Sequence, residues 1–241
     1  MFALAAVVII GAGAIGLTQT VGAHAATPGV ICGNSCGGGG GGGLPACTWV
    51  PNAYAGGFNS TLNHYGVRGS IQSTTFTIPS QNQDFSDSAF HVFTSAGGIE
   101  VGWFIGYSFE YNQYFTPSPH AYATLNGPHE LDGPAVGNAT DFYSTYLSGS
   151  TQIINVRTSN GGTLIWSNSQ PAGWSGPGNV IAAGEVNDNS LHMYGYFVGV
   201  NPALQYFSGT GAWDSWPSLS LCADQNYGAS GNVNSILVGG N

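Results

Sequence analysis

Basic residues are almost missing from this chain: its 241 residues include two Lys+Arg, Arg68 and Arg157, against 11 Asp+Glu, for a formal charge of −9. Such a balance repels phosphates and removes nucleic acid from the expected partners. Charge of either sign is scarce, at 5% of residues. A domain this poor in ionisable groups gains few repulsive charges on acidification, so its folded state should tolerate low pH; an Asn/Ser/Gly-rich extracellular surface with no pH role is the plain alternative. Several motifs are missing as well. No His-Glu-x-x-His pair occurs, and the one Gly-x-Ser-x-Gly spacing, Gly33-Asn34-Ser35-Cys36-Gly37, sits in the glycine-rich N-terminal stretch with no strand-then-helix pattern around it, so zinc-peptidase and serine-hydrolase mechanisms lack a basis. His64, His91, His120, His129 and His192 are scattered without ligand spacing, so no metal or cofactor is expected.

Amphipathic patterns long enough for a helix are missing too, and what fills the chain from Tyr65 onward is a series of short β-rich runs separated by Gly, Pro, Asn and Ser clusters. Strands are expected near 66–78, 89–95, 98–107, 120–125, 140–147, 151–157, 162–167, 179–187, 191–200 and 233–238. Their spacing predicts an all-β fold, an antiparallel, jelly-roll-like β-sandwich of two packed sheets in one domain. The clearest hairpin joins 151–157 to 162–167 through Ser159-Asn160-Gly161-Gly162, where Asn-Gly suits positive φ.

The N-terminal part reads differently. Residues Phe2 to Leu17 are apolar and Ala23-His24-Ala25 offers an Ala-x-Ala cleavage site, so 1–25 reads as a secretory signal, with a transmembrane anchor as the alternative. The glycine-interrupted run is short for a bilayer span. Gly37 to Gly43 make 26–46 a flexible segment ahead of a domain at 47–241, expected to be a monomer with no membrane association after cleavage. Four cysteines, Cys32, Cys36, Cys47 and Cys222, favour two disulfides in an exported chain, with three connectivities open. The pairing Cys47–Cys222 with Cys32–Cys36 would staple the ends of the domain and close a small loop. Sequons stand at Asn59-Ser60-Thr61 and Asn138-Ala139-Thr140.

Against this background two of the four glutamates stand out. Glu100 lies in Ile99-Glu100-Val101-Gly102-Trp103-Phe104-Ile105-Gly106-Tyr107, and Glu185 in Val180-Ile181-Ala182-Ala183-Gly184-Glu185-Val186, each alone among apolar and small residues. A buried carboxylate must be paired, protonated or functional, and two arginines cannot serve eleven acids. Alternation puts Glu100, Gly102, Phe104 and Gly106 on one strand face and Trp103 on the other, toward the core. Two carboxyls about 4 Å apart at an effective dielectric near 20 repel by roughly 4 kcal/mol, so one proton is shared. The ionised member can activate water, and the protonated one can serve the oxyanion and the leaving amine. On this reading Glu100 and Glu185 are catalytic, while Phe104 and Asn187 are candidates for substrate binding. Asp188, in an Asn-Asp-Asn run, reads as turn chemistry.

The segment from Ile99 to Trp103 resembles the I-E-A-G-W stretch of the neprosin-type glutamic peptidases, and Ala183 to Val186 resembles their G-G-E-V. His64 to Arg68 is similar to that family's opening strand, Met193-Tyr194-Gly195 to its M-G-S-G turn, and Cys222 to Gly240 to its closing block. The family's central cysteine-containing block and its N-terminal pro-domain have no counterpart. The resemblance implies a secreted, acid-active endopeptidase acting on protein or peptide substrates and cutting after proline. With 12% aromatics, a carbohydrate-binding sandwich is the rival from another class, and a glycoside hydrolase using the same carboxylates is the other enzyme option. The sugar-binding reading expects a row of exposed Trp and buried, hydrogen-bonded or remote Glu100 and Glu185; the peptidase reading expects both carboxyls within water-bridging distance at the floor of a groove.

Overall fold

Sixteen strands form in a computed structural model that describes residues 44–47, 52–94, 97–125, 129–159, 161–173 and 177–240. They are β1 (Ala53–His64), β2 (Gly66–Gln72), β3 (Phe85–Thr94), β4 (Gly97–Ser108), β5 (Gln113–Leu125), β6 (His129–Ala135), β7 (Thr140–Ser148) and β8 (Thr151–Thr158). There follow β9 (Leu164–Pro171), β10 (Gly178–Val186), β11 (Met193–Val198), β12 (Gln205–Phe207), β13 (Trp213–Ser215), β14 (Ser220–Ala223), β15 (Tyr227–Asn232) and β16 (Ser235–Gly240). Among the described residues there is no helix.

The strands make two packed antiparallel sheets, the expected sandwich. A seven-stranded sheet has the order β14-β1-β10-β3-β4-β5-β6, and a nine-stranded one runs β15-β16-β11-β2-β7-β8-β9, with β12 on β2 and β13 on β12. Ile99, Val101, Trp103 and Ile105 point inward from β4, as alternation requires. They join Phe90, Val92, Val180 and Ala182 of the same sheet against Val67, Ile71, Tyr143, Phe197, Ile236 and Val238 of the other. Phe90 and Phe197 meet edge to face across the interface at 5.4 Å. Each such side chain contributes about 1.5–3 kcal/mol through burial.

The expected hairpin forms as β8 and β9, with Ser159 at φ 46° and Gly161 at φ 82° in its turn; Asn160 lies outside the described residues. Cys47 and Cys222 form a disulfide that ties the segment before β1 to β14 across 175 residues, with a Cα–Cα distance of 5.0 Å. Cys32, Cys36 and the expected signal segment lie outside the described residues. Met193-Tyr194-Gly195, likened to a turn motif, opens strand β11 within the strand expected near 191–200, its backbone paired with Gly240, Gly239 and Val238 of β16. Asn59 of the first sequon is buried at 1% exposure and donates Nδ2 to the Ser218 carbonyl at 2.9 Å, so it is not the surface acceptor a glycan needs.

Candidate active site

Antiparallel register arranges the outer face of the seven-stranded sheet in rows that run across the strands. One row holds Tyr54 on β1, Glu185 on β10, Asp87 on β3 and Phe104 on β4. The next holds Cys222 on β14, then Gly56, Ala183, Ala89 and Gly102, and continues through Tyr122 on β5 to Asp132 on β6. A third holds Phe58, Ile181, His91 and Glu100, and continues through Thr124 to Glu130 on β6. The middle row is a floor of glycine and alanine between two banks of larger side chains. Glu185 and Asp87 stand on one bank, Glu100 and His91 on the other. The banks are four residues apart along each strand, about 13 Å between backbones, a gap into which side chains from both sides project.

Close strand packing explains the small floor residues. A Cβ built on Gly102 would lie 2.8 Å from the Ala89 Cβ, and one on Gly56 2.6 Å from the Ala183 Cβ, distances that real contacts do not reach. Gly106, the second glycine beside Glu100, has a different role: at φ 121° it carries the register shift of β4 against β5.

The four ionisable groups on the banks are at most 1% exposed. Burial pushes the Glu185 carboxyl well above the ordinary carboxylate range, and the charges of Asp87 and Glu100 push the same way, against hydrogen bonds from Asn52 and Tyr54. The amide of Asn52 donates to Glu185 Oε1. Asp87 is likewise raised by burial and then by Glu100, while a hydrogen bond from Tyr122 opposes the shift. Burial first, and then the neighbouring carboxylates, holds the Tyr54 and Tyr122 hydroxyls protonated. Across the trough, Glu100 Oε1 stands 3.3 Å from His91 Nδ1, at ion-pair distance but without hydrogen-bond alignment. Among the described residues no group of three or more His, Cys, Asp or Glu side chains is arranged to hold a metal ion.

The structure thus places Glu100 and Glu185 on one face, two strands apart, with β3 between them. Phe104 shares that face, packed at ring distances of 5.7 Å from Tyr122 and 6.0 Å from Phe115. Asn187 has another task. Its Oδ1 accepts from the Phe85 N–H at 2.9 Å and its Nδ2 donates to the Gln83 carbonyl at 3.0 Å, so both ends of the amide tie the start of β3 to the end of β10 rather than reaching toward a substrate. Asp188 accepts from the Ser190 N–H at 2.8 Å, the turn role expected of it. Sequence reasoning missed Asp87 and His91. The expected strand began at residue 89, whereas β3 starts at Phe85; extending the alternation back through Ala89 would have put Asp87 on the face of His91.

The same sandwich is found in a glutamic peptidase. The structure of scytalido-glutamic peptidase with a peptide-based transition state analog matches with a TM-score of 0.56 at 12% identity, covering 78% of this chain and 98% of that one. SCP-B, a member of the eqolisin family of peptidases in complex with the tripeptide Ala-Ile-His, matches with a TM-score of 0.54 at 11% identity over the same shares. At these identities the likeness is one of fold. No protein-family model matches the chain, and no curated protein does.

Proposed function

We propose that this chain is a glutamic endopeptidase whose dyad is Glu100 and Glu185. The observation that carries the reading is their placement on opposite banks of one buried trough, floored by Gly56, Ala183, Ala89 and Gly102, with no arginine on that face. A water between the banks loses a proton to the ionised carboxyl and attacks the peptide carbonyl. The protonated carboxyl hydrogen-bonds the developing oxyanion, and the proton taken from water passes to the leaving amine as the C–N bond breaks. The neutral hydroxyls of Tyr54 and Tyr122 are further donors within the same enclosure. Because the carboxyls are almost fully buried, the trough must open to admit an extended peptide.

More finely, the chain is a secreted, acid-active enzyme of the neprosin type that cuts after proline. The Ile99–Trp103 and Ala183–Val186 segments support the family, and the apolar N-terminal run supports secretion. Phe104, Tyr122 and Phe115 offer an apolar, uncharged wall suited to a pyrrolidine ring. The sugar-binding alternative lacks its platform among the described residues, where Trp103 and Trp216 are buried and Trp166 and Trp213 half-buried. Cleavage of a proline-containing peptide series in acid, by the wild type and by Glu100→Gln, tests the proposal. Equal turnover by the folded variant would remove Glu100 from the mechanism, and cleavage indifferent to proline would remove only the specificity.

A further inference from the structure

The proposed dyad has a third carboxyl beside it. Asp87 lies directly opposite Glu185 on the neighbouring antiparallel strand, and both side chains are 0% exposed. Directly opposed residues hold their Cβ atoms roughly 4.5–5.5 Å apart, a spacing at which like charges on a sheet repel. Without water the repulsion is stronger still.

What faces the pair supplies hydrogen bonds but no permanent cation. Tyr54 approaches from β1, Glu100 from β4, Tyr122 and His120 from β5 and Glu130 and Asp132 from β6, with His91 on Asp87's own strand. The two arginines of the chain, Arg68 and Arg157, belong to β2 and β8 of the other sheet. Apart from the imidazoles, only protons can neutralise this face.

We propose that Asp87 is a positioning residue that keeps the shared proton on the glutamic dyad, so that Asp87 and Glu185, facing each other across β3 and β10, titrate as one set and fix the pH range of the enzyme. The proposal rests on the peptidase reading for its catalytic meaning but not for its electrostatics. The charge of Glu100 acts on Asp87, that of Asp87 acts on Glu185, and the Tyr122 hydroxyl orients Asp87 from β5. Removing Asp87 lets the remaining pair release its protons more easily, and the whole activity bell moves toward acid.

Two measurements on the full chain test this. The first is a double-mutant cycle of unfolding stability for Asp87→Asn and Glu185→Gln, run from acid to neutral pH. A carboxyl whose pKa is higher folded than unfolded stabilises fully below the unfolded value, and that stability is lost as pH rises through the folded value. Each single variant should therefore flatten the loss of stability toward neutral pH, and the double variant should gain less than the sum of the two. Below the carboxylate range the effects should add. Additivity across the whole range would overturn the coupling. If Asp87→Asn does not fold, Asp87→Ser takes its place in the cycle. The second measurement is the pH–rate profile. At the alkaline pH where the wild type keeps half its activity, Asp87→Asn should retain less than about a fifth of its own maximum. An unmoved bell would overturn the role of Asp87 and leave the peptidase reading standing. A wild type that hydrolyses no peptide at any pH would overturn the peptidase reading instead, and the stability cycle would still decide the coupling.

Discussion

The outer faces of the two sheets are built by the same alternation and have opposite characters. On the nine-stranded sheet a cross-strand row runs Arg68, Ser144, Asn155, Ser167. Its polar groups are satisfied at or near the surface: Arg68 Nε donates to Gln205 Oε1 at 2.8 Å while the guanidinium lies 4.3 Å over the Trp213 ring, and Arg157 donates to the Gly162 carbonyl at 3.1 Å. On the seven-stranded sheet the corresponding rows carry Glu185, Asp87, Glu100 and His91, almost wholly buried and away from both arginines. Polar residues on a sheet's outer face are ordinary. Carboxyls buried there away from any arginine cost folding free energy that only protonation or a task can justify.

That contrast can be broken in graded ways. The largest effect should come from the dyad itself. Glu100→Gln or Glu185→Gln should lower kcat for peptide hydrolysis by about 10⁴-fold, roughly 5.5 kcal/mol, in protein whose circular dichroism is unchanged. Next is the staple at the β14 end of the trough. Cys222→Ala, which opens a loop of 175 residues, should cost between about 2 and 5 kcal/mol in a urea titration. Gly102→Val would push a side chain against Ala89 and into the trough, for a loss of about 1–3 kcal/mol together with most of the activity. The smallest effect belongs to the other face. Arg68→Gln should change stability by less than about 1 kcal/mol and leave hydrolysis as it was. A dyad variant as silent as Arg68→Gln would erase the distinction between the two faces.

Much of the sandwich could be read from the chain because most strands follow period-two patterning. The stretch Ile99–Tyr107 carries its own strand signal and lies within β4, and the Ser159–Gly162 turn marks β8 and β9. Strand β1 could not be read. Its Ala-Tyr-Ala-Gly-Gly-Phe-Asn stretch has no β-branched run, and it becomes a strand because β10 and β14 pair with it on either side. The site was legible to the extent that charge was rare: with only four glutamates, the two in apolar runs drew notice. Asp87 escaped because Ser86 and Ser88 flank it, so locally it looks like part of a polar loop. Only register, which no local pattern encodes, sets it opposite Glu185. Asn187 was misread for the complementary reason: its closeness in sequence to Glu185 suggested the site, but β10 has ended and its amide is held by Gln83 and Phe85.

Glu100 and Glu185 are proposed to share a proton and to hydrolyse peptides with it. Digestion of a proteome-derived peptide library at a series of pH values from acid to above neutral, with wild type and Glu185→Gln side by side, tests this most directly. The expected result is a bell of cleavage in the acidic range that fades as the second carboxyl ionises, and almost none from the variant. Cleavage that peaks above neutral pH, or that persists at the wild-type rate in folded Glu185→Gln, would contradict it.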